Sequence, residues 1–185
     1  ETFQFNIALQ QLQNFVWHEL CDYHIEIAKN RLYTPEKGCM KRSAQYTLYI
    51  VLWTLTCLYA PFAPHLAEEI SHNLFNKSTL EANWPNMNRN LTNAEGEKAW
   101  LILKEAISGI RKLKSRLRLS LNAEIPEAVI HCKDQSLKEV LEKLEIDIKE
   151  AGKIRRVKIL EDEQCPNLEI TFSMFDGLCA KTKRQ

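Results

Sequence analysis

"CLYAPFAPHLAEEI", Cys57 to Ile70, interrupts an apolar helix with two prolines and restarts it with a histidine and an acid pair. Pro61 and Pro64 each lack a backbone N–H, and each disfavours helical geometry in the residue before it. A helix arriving from the N-terminal side therefore ends near Tyr59 or Ala60. Proline is well tolerated in a first helical turn, so the next helix starts near Pro64. Glu68 and Glu69 then fall within its first two turns, where the helix dipole favours negative charge. The stretch is predicted as a tight corner between two packed helices.

Working outward from the corner, Met40 to Tyr59 is apolar on nearly every side, which predicts a helix at the centre of a bundle. "YTPEKG", Tyr33 to Gly38, separates it from a long first helix through its breakers Pro35 and Gly38. In that first helix Phe5, Leu9, Leu12, Val16, Leu20, Tyr23 and Ile27 recur at helical spacing, and the stripe runs to about Arg31. Downstream, "NKSTLEANWPNMNRN" (Asn76 to Asn90) is a polar connector. Thr92-x-x-Glu95 has the form of a capping box, and Leu103, Ile107, Ile110, Leu113 and Leu117 trace the buried face of a fourth helix. Four such helices with short connections predict an antiparallel bundle.

After Leu121 the pattern changes. "EIPEAVIHC" (Glu124 to Cys132) reads as a strand, Ser136-x-x-Glu139 opens an amphipathic helix, Gly152 suits its C-terminal cap, and "IRRVKIL" (Ile154 to Leu160) alternates as a strand does. "LEITF" (Leu168 to Phe172) adds a further strand. The expected fold class is mainly α: a helical bundle over residues 1–120, followed by a small α/β C-terminal unit over residues 121–185.

The 185 residues are 45% hydrophobic and 26% charged, enough to bury a core, and the net charge of +1 names no partner. Six cysteines (Cys21, Cys39, Cys57, Cys132, Cys165 and Cys179) form no CxxC pair, which points to a reducing cytoplasmic compartment without disulfides or structural zinc. Ser43 to His65 is nearly uncharged, but Gln45, Thr47, Thr54, Thr56 and the prolines interrupt it, so it reads as a buried helix and no membrane partner is expected. The N-terminus lacks a basic region before an apolar core and reads as the middle of a helix, as in a cut fragment.

No glycine-rich phosphate loop, G-x-S-x-G, H-E-x-x-H or paired-cysteine signature is present, so no catalytic or metal-binding residue is expected. His65 and Glu69, four apart, can share a helix face, although such a pair is more often a local hydrogen bond than a catalytic dyad. "IRKLKSRLRL" (Ile110 to Leu119) holds five cations, of which Arg111, Lys114 and Arg118 share a face by helical spacing. That face suits a phosphate backbone, and an ordinary solvated helix surface explains it equally well. A second patch places Arg31, Lys41 and Arg42 near Tyr33, Tyr46 and Tyr49. Cations among aromatic rings suit single-stranded RNA, whereas tyrosines on a bundle helix are more often core.

"FVWHELCDYHIEIAKNRLY" (Phe15 to Tyr33) resembles the F-W-x-x-F-C-D-x-Y-I-E-x-x-K-x-R-L-Y pattern that opens the helical anticodon-binding domain of class I valyl-tRNA synthetases. "LYAPFAPHLAEEI" is similar to the L-x-P-F-x-P-H-x-x-E-E-L segment of the same domain, "STLEANWPN" stands at its W-P connector, and "IRKLKSRLRLSLNAEI" resembles the segment that closes the bundle. The matches run in the family's order from about Phe3 to Ile130. Tyr23-His24 departs from the aromatic–tyrosine order, and the connector lacks the family's histidine. Isoleucyl- and leucyl-tRNA synthetases share the proline corner and the connector, while the C-D-x-x-I-E-x-x-K-x-R-L-Y run favours valyl.

The resemblance implies a C-terminal, tRNA-binding fragment of a valine-tRNA ligase, non-catalytic alone. The HIGH-type and KMSKS-type signatures, the editing domain and the bacterial coiled-coil arm are not found in the sequence. ATP and Mg are implied for the whole enzyme and no cofactor for this piece; the implied partners are tRNA with a valine acceptor and the rest of the synthetase chain, not DNA. It further implies that His65 stacks on or hydrogen-bonds an anticodon base, that Glu69 accepts from a base amino group, and that Arg42, Gln45, Tyr46 and Tyr49 form the opposing wall. Arg31, Arg111, Lys114 and Arg118 are the candidate phosphate contacts. A non-catalytic helical protein-interaction module is the competing reading, and it predicts an exposed apolar patch.

Overall fold

The computed structural model describes residues 4–33, 38–162 and 168–172. Pro35, Cys165, Cys179 and Phe3 lie outside the described residues. Compact packing divides the chain into two units, Glu1–Thr92 and Asn93–Gln185.

In the first unit, α1 (Phe5–Asn14) passes through a π-helical segment (Phe15–His24) into α2 (Ile25–Tyr33). The predicted stripe is the least exposed face: Leu20 and Ile27 are buried, Leu9, Leu12, Val16 and Tyr23 are half-buried, and Phe5 is exposed. The π segment itself does not follow from the stripe, which keeps ordinary helical spacing across it. α3 (Gly38–Tyr59) packs against α2 and buries Ala44, Leu55, Thr56 and Cys57. The chain then turns at Pro61, and α4 (Pro64–Phe75) returns along α3 with proline in its first turn and Asn76 capping its end in the left-handed conformation, φ 51°. Phe5, Leu12 and Phe15 on one side and Ile50, Leu55 and Phe62 on the other line an apolar groove of about 670 Å³.

The second unit is built on α5 (Ala94–Arg116), whose buried residues Leu103, Ala106, Ile107, Ile110 and Leu113 follow the predicted face. Its N-cap is Asn93, whose side chain accepts from the Glu95 and Gly96 amides; Thr92 instead donates its hydroxyl to the Arg89 carbonyl. β1 (Ile125–Cys132) is followed by α6 (Gln135–Lys143), α7 (Glu145–Gly152), β2 (Ile154–Glu161) and β3 (Leu168–Phe172). The sheet order is β2-β1-β3, with β1 parallel to β2 and antiparallel to β3. α6 and α7 form the crossover that a parallel pair requires. The single helix expected here is broken at Leu144, and its N-cap is Asp134, which accepts from the Leu137 amide, not Ser136.

The unit boundary falls between Thr92 and Asn93 and not at 120/121, because α5 spends its apolar face on α6, α7 and β3. Gly152 is also not the left-handed cap; that conformation belongs to Lys153, φ 52°. Glycine is needed at 152 for space, since a Cβ there would lie 2.9 Å from Ile154 Cδ1 and 3.2 Å from Ile110 Cδ1, both core side chains. Overpacking of this kind costs about 1–3 kcal/mol and outweighs the helix propensity gained. Gly152→Ala is therefore expected to lower the stability of the second unit by about 1–2 kcal/mol, read as a lower urea midpoint in Trp100 fluorescence with Trp17, Trp53 and Trp84 replaced by phenylalanine in both parent and variant; an unchanged midpoint would mean that the core yields there.

Candidate nucleic-acid interface

α3 presents one exposed stripe. Arg42, Gln45, Tyr46 and Tyr49 are all exposed, and they succeed one another at spacings of three and four. Trp53 continues the stripe by one further turn and is half-buried. It was missed from the sequence because this helix is apolar all round, so its wet face carries no periodic signal; the one available clue was its i+4 relation to Tyr49. The end of α4 meets this stripe. Phe75 packs edge-on against both Tyr49 and Trp53, with centroids 5.2 Å apart in each pair. Lys77, just past the Asn76 cap, places Nζ 5.1 Å from the Trp53 ring centre and donates to the Tyr49 hydroxyl at 3.3 Å.

Polar ties fix the chain that carries Lys77. The buried Ser71 donates its hydroxyl to the Lys77 carbonyl, and the Lys77 amide donates to the Ser71 carbonyl at 3.4 Å. Glu68 accepts from the Thr79 amide at 2.9 Å and the Thr79 hydroxyl at 2.6 Å. Donation by the Ser78 and Thr79 hydroxyls, with the Thr79 amide and His72 adding to it, holds the Glu68 carboxyl down at about 2. Glu68 is thus a structural anchor for the connector.

His65 is exposed on the first turn of α4, with Glu69 one turn further along the same face. The Glu69 Oε1 takes the Asn73 amide at 2.8 Å. The opposing wall does not face them. Ten helical residues, about 15 Å, separate His65 from Phe75, and it is Phe75 that touches Tyr49. The antiparallel course of α4 along α3 puts His65 and the tyrosine stripe at opposite ends of the helix pair, so they cannot close on one base. Arg31 is half-buried and acts electrostatically on His24, whose imidazole is depressed first by burial and then by this guanidinium.

In the second unit the proposed cationic face of α5 does not exist. Lys114 is 1% exposed, and its Nζ donates to the carbonyls of Leu121 (2.9 Å) and Ala123 (2.7 Å). Burial, and then the charge of Lys153, lower its pKa. Its task is to hold the turn that leads into β1. Arg118 lies beyond the helix end, in the left-handed conformation (φ 53°), with Leu119 N bonded to Lys114 O and Arg118 N to Ser115 O. Arg111 is half-buried, and the exposed cations of the last helical turns are Lys112 and Arg116.

Among the described residues no group of three His, Cys, Asp or Glu side chains could hold a metal, and no helix is long and apolar enough to cross a membrane. Cys21, Cys39, Cys57 and Cys132 carry reduced thiols, and the buried Cys132 donates its S–H to the Leu160 carbonyl at 3.4 Å.

An exposed row of aromatic and basic side chains on a helical unit defines a class of domain suited to unpaired RNA. The model of the anticodon-binding domain of tRNA ligases matches residues 1–130. The chain is 34% identical over 174 residues to the valine–tRNA ligase of Pyrococcus furiosus, 35% over 174 residues to that of Thermococcus kodakarensis, and 34% over 169 residues to that of Methanocaldococcus jannaschii. Each alignment takes in 91% of this chain and 19% of the relative, so the chain spans about a fifth of the length of the curated relatives it matches. The chain belongs to the anticodon-binding domain family of tRNA ligases.

Three outcomes follow from this geometry. The Glu68 carboxyl has a folded-state pKa of about 2 against an ordinary 4.5, so the stability it contributes is complete above 4.5 and is lost as the pH falls towards 2. Glu68→Gln should be less stable near neutral pH and should show a shallower further loss across that acid window, measured by urea titration at several pH values; parallel acid profiles would remove the anchor. In the second unit, Lys114→Met strands two carbonyls and should cost about 1–3 kcal/mol of stability while leaving the salt dependence of RNA binding unchanged. Arg118→Gly relieves the left-handed strain, and a salt dependence lowered by about one counterion would mark Arg118 as a phosphate contact, whereas an unchanged one would remove it from that role.

Proposed function

We propose that this chain is the anticodon-binding portion of a valine–tRNA ligase. It holds the anticodon arm of a valine tRNA while ATP-dependent aminoacylation, with magnesium, proceeds in parts of the ligase outside these residues; the setting is the cytoplasm. The observation that carries the reading is the exposed α3 stripe of Arg42, Gln45, Tyr46 and Tyr49, in a chain of this family whose matched relatives are valine–tRNA ligases. Tyr46 and Tyr49 supply flat faces for unstacked bases, and Arg42 and Gln45 supply donors beside them. His65 and Glu69 form a second reading point near the corner, about 15 Å along α4, and so serve a different nucleotide. Arg118 contributes charge without sequence information.

The apolar groove beside α1 favours a second reading, a surface for protein contact. The two readings part on RNA. A valine tRNA should bind more tightly than the same tRNA with its central anticodon base changed, and the preference should survive added salt, because base contacts release few counterions. Tyr46→Ala and His65→Ala should each cost about 1–3 kcal/mol of that binding, and in the double variant the losses should add, since the two residues are well separated. Binding that is equal for both tRNAs and erased by salt would leave the chain with phosphate contacts alone.

A further inference from the structure

We infer that Trp53 and Tyr49, with Lys77 beside them, form a nucleobase-stacking platform that extends the α3 stripe, and that Lys77 takes the phosphate of the stacked nucleotide. The inference rests on the RNA-binding reading above and names a part of that surface which the anticodon motif does not include.

A lysine ammonium stands over the half-buried Trp53 ring. Lys77 is exposed, its Nζ stands 5.1 Å from the Trp53 ring centre and 5.9 Å from that of Tyr49, and Tyr49 is 42% exposed. Phe75 packs edge-on against both rings. The backbone that launches Lys77 is tied to Ser71 on one side and, through Thr79, to Glu68 on the other. The anchor is rigid and the long side chain is not. Four methylenes let the ammonium swing from the ring face to a phosphate without moving the backbone.

The chemistry selects the ligand. A ring face with a fixed cation beside it repels a cationic ligand such as a methylated amine, and it suits a flat base that carries its own phosphate. From Arg42 to Trp53 the stripe is about 16 Å long, room for several bases stacked at about 3.4 Å. Trp53, about 10 Å beyond Tyr46 along the helix, is therefore placed to take a different base from the one that Tyr46 faces. Ser71 and Glu68 act as positioning residues, since neither faces the stripe.

The test uses the full chain with Trp17→Phe, Trp84→Phe and Trp100→Phe, so that Trp53 is the sole tryptophan emitter, titrated with an RNA hairpin bearing a valine anticodon loop. Binding is followed in parallel by the anisotropy of a label on the RNA. Trp53 emission should fall with the same midpoint as the anisotropy rises. In the natural sequence background, Trp53→Leu should weaken binding roughly 5- to 150-fold, and Lys77→Met should weaken it and lower the salt dependence by about one counterion. If the hairpin binds while Trp53 emission stays constant and Trp53→Leu binds as the parent does, the platform is wrong and the anticodon reading stands. If emission falls equally for hairpins with any anticodon, the platform stands without valine specificity. If no hairpin binds, both fail together.

Discussion

The proline corner is the constraint from which the candidate site follows. Pro61 and Pro64 remove two backbone donors, so α3 ends at Tyr59 and α4 starts afresh at Pro64, running back along α3. Helix lengths then do the rest. A return helix of twelve residues carries its last side chain, Phe75, back to the level of Tyr49 and Trp53. A shorter helix would leave those rings without an edge-on support, and a longer one would carry Lys77 past them. The same geometry separates His65 from the tyrosines, because the start and the end of one straight helix cannot meet.

What the sequence made legible was whatever periodicity and breakers encode. The corner, the start of α4 at Pro64, the buried face of α5, and the strands from Ile125, Ile154 and Leu168 were all readable, since each is marked by local spacing or by a residue with one conformational meaning. Caps were harder. Asn93 and Asp134 displaced the predicted Thr92 and Ser136, because adjacent polar residues compete for the same amides and the winner depends on where the helix enters. Gly152 looked like a cap and is a packing glycine, a distinction that depends on Ile110, more than forty residues away in sequence.

The site residues divide in the same way. Arg42, Gln45, Tyr46 and Tyr49 are exposed in one row, whereas Lys114 is buried. Helical spacing puts Lys114 on a line with Arg111 and Arg118, but the helix stops at Arg116, and α5 rotates the Lys114 position towards its own core. A lysine there is tolerated because its ammonium finds two carbonyls in a turn that begins beyond the helix end. Sequence spacing says which side chains share a face; it does not say whether that face is wet.

The two acids that follow the corner illustrate why neighbouring like charges can have unlike roles. Glu68 turns inward to Ser78 and Thr79 and stays ionised because three donors favour its charge, so it fixes the backbone of the connector. Glu69, one residue on and about 100° around the helix, faces outward with one oxygen on Asn73. Removing the first carboxylate would leave the connector without its acceptor, and removing the second would leave the outward face without its acid. The inward acid therefore governs where Lys77 stands, and through Lys77 the ring faces of Tyr49 and Trp53 receive a positive charge without any cation belonging to α3 itself. A surface that must admit a base needs a cation that can move aside from a fixed attachment point, and in this fold that attachment is the hydrogen-bonded segment from Ser71 to Thr79.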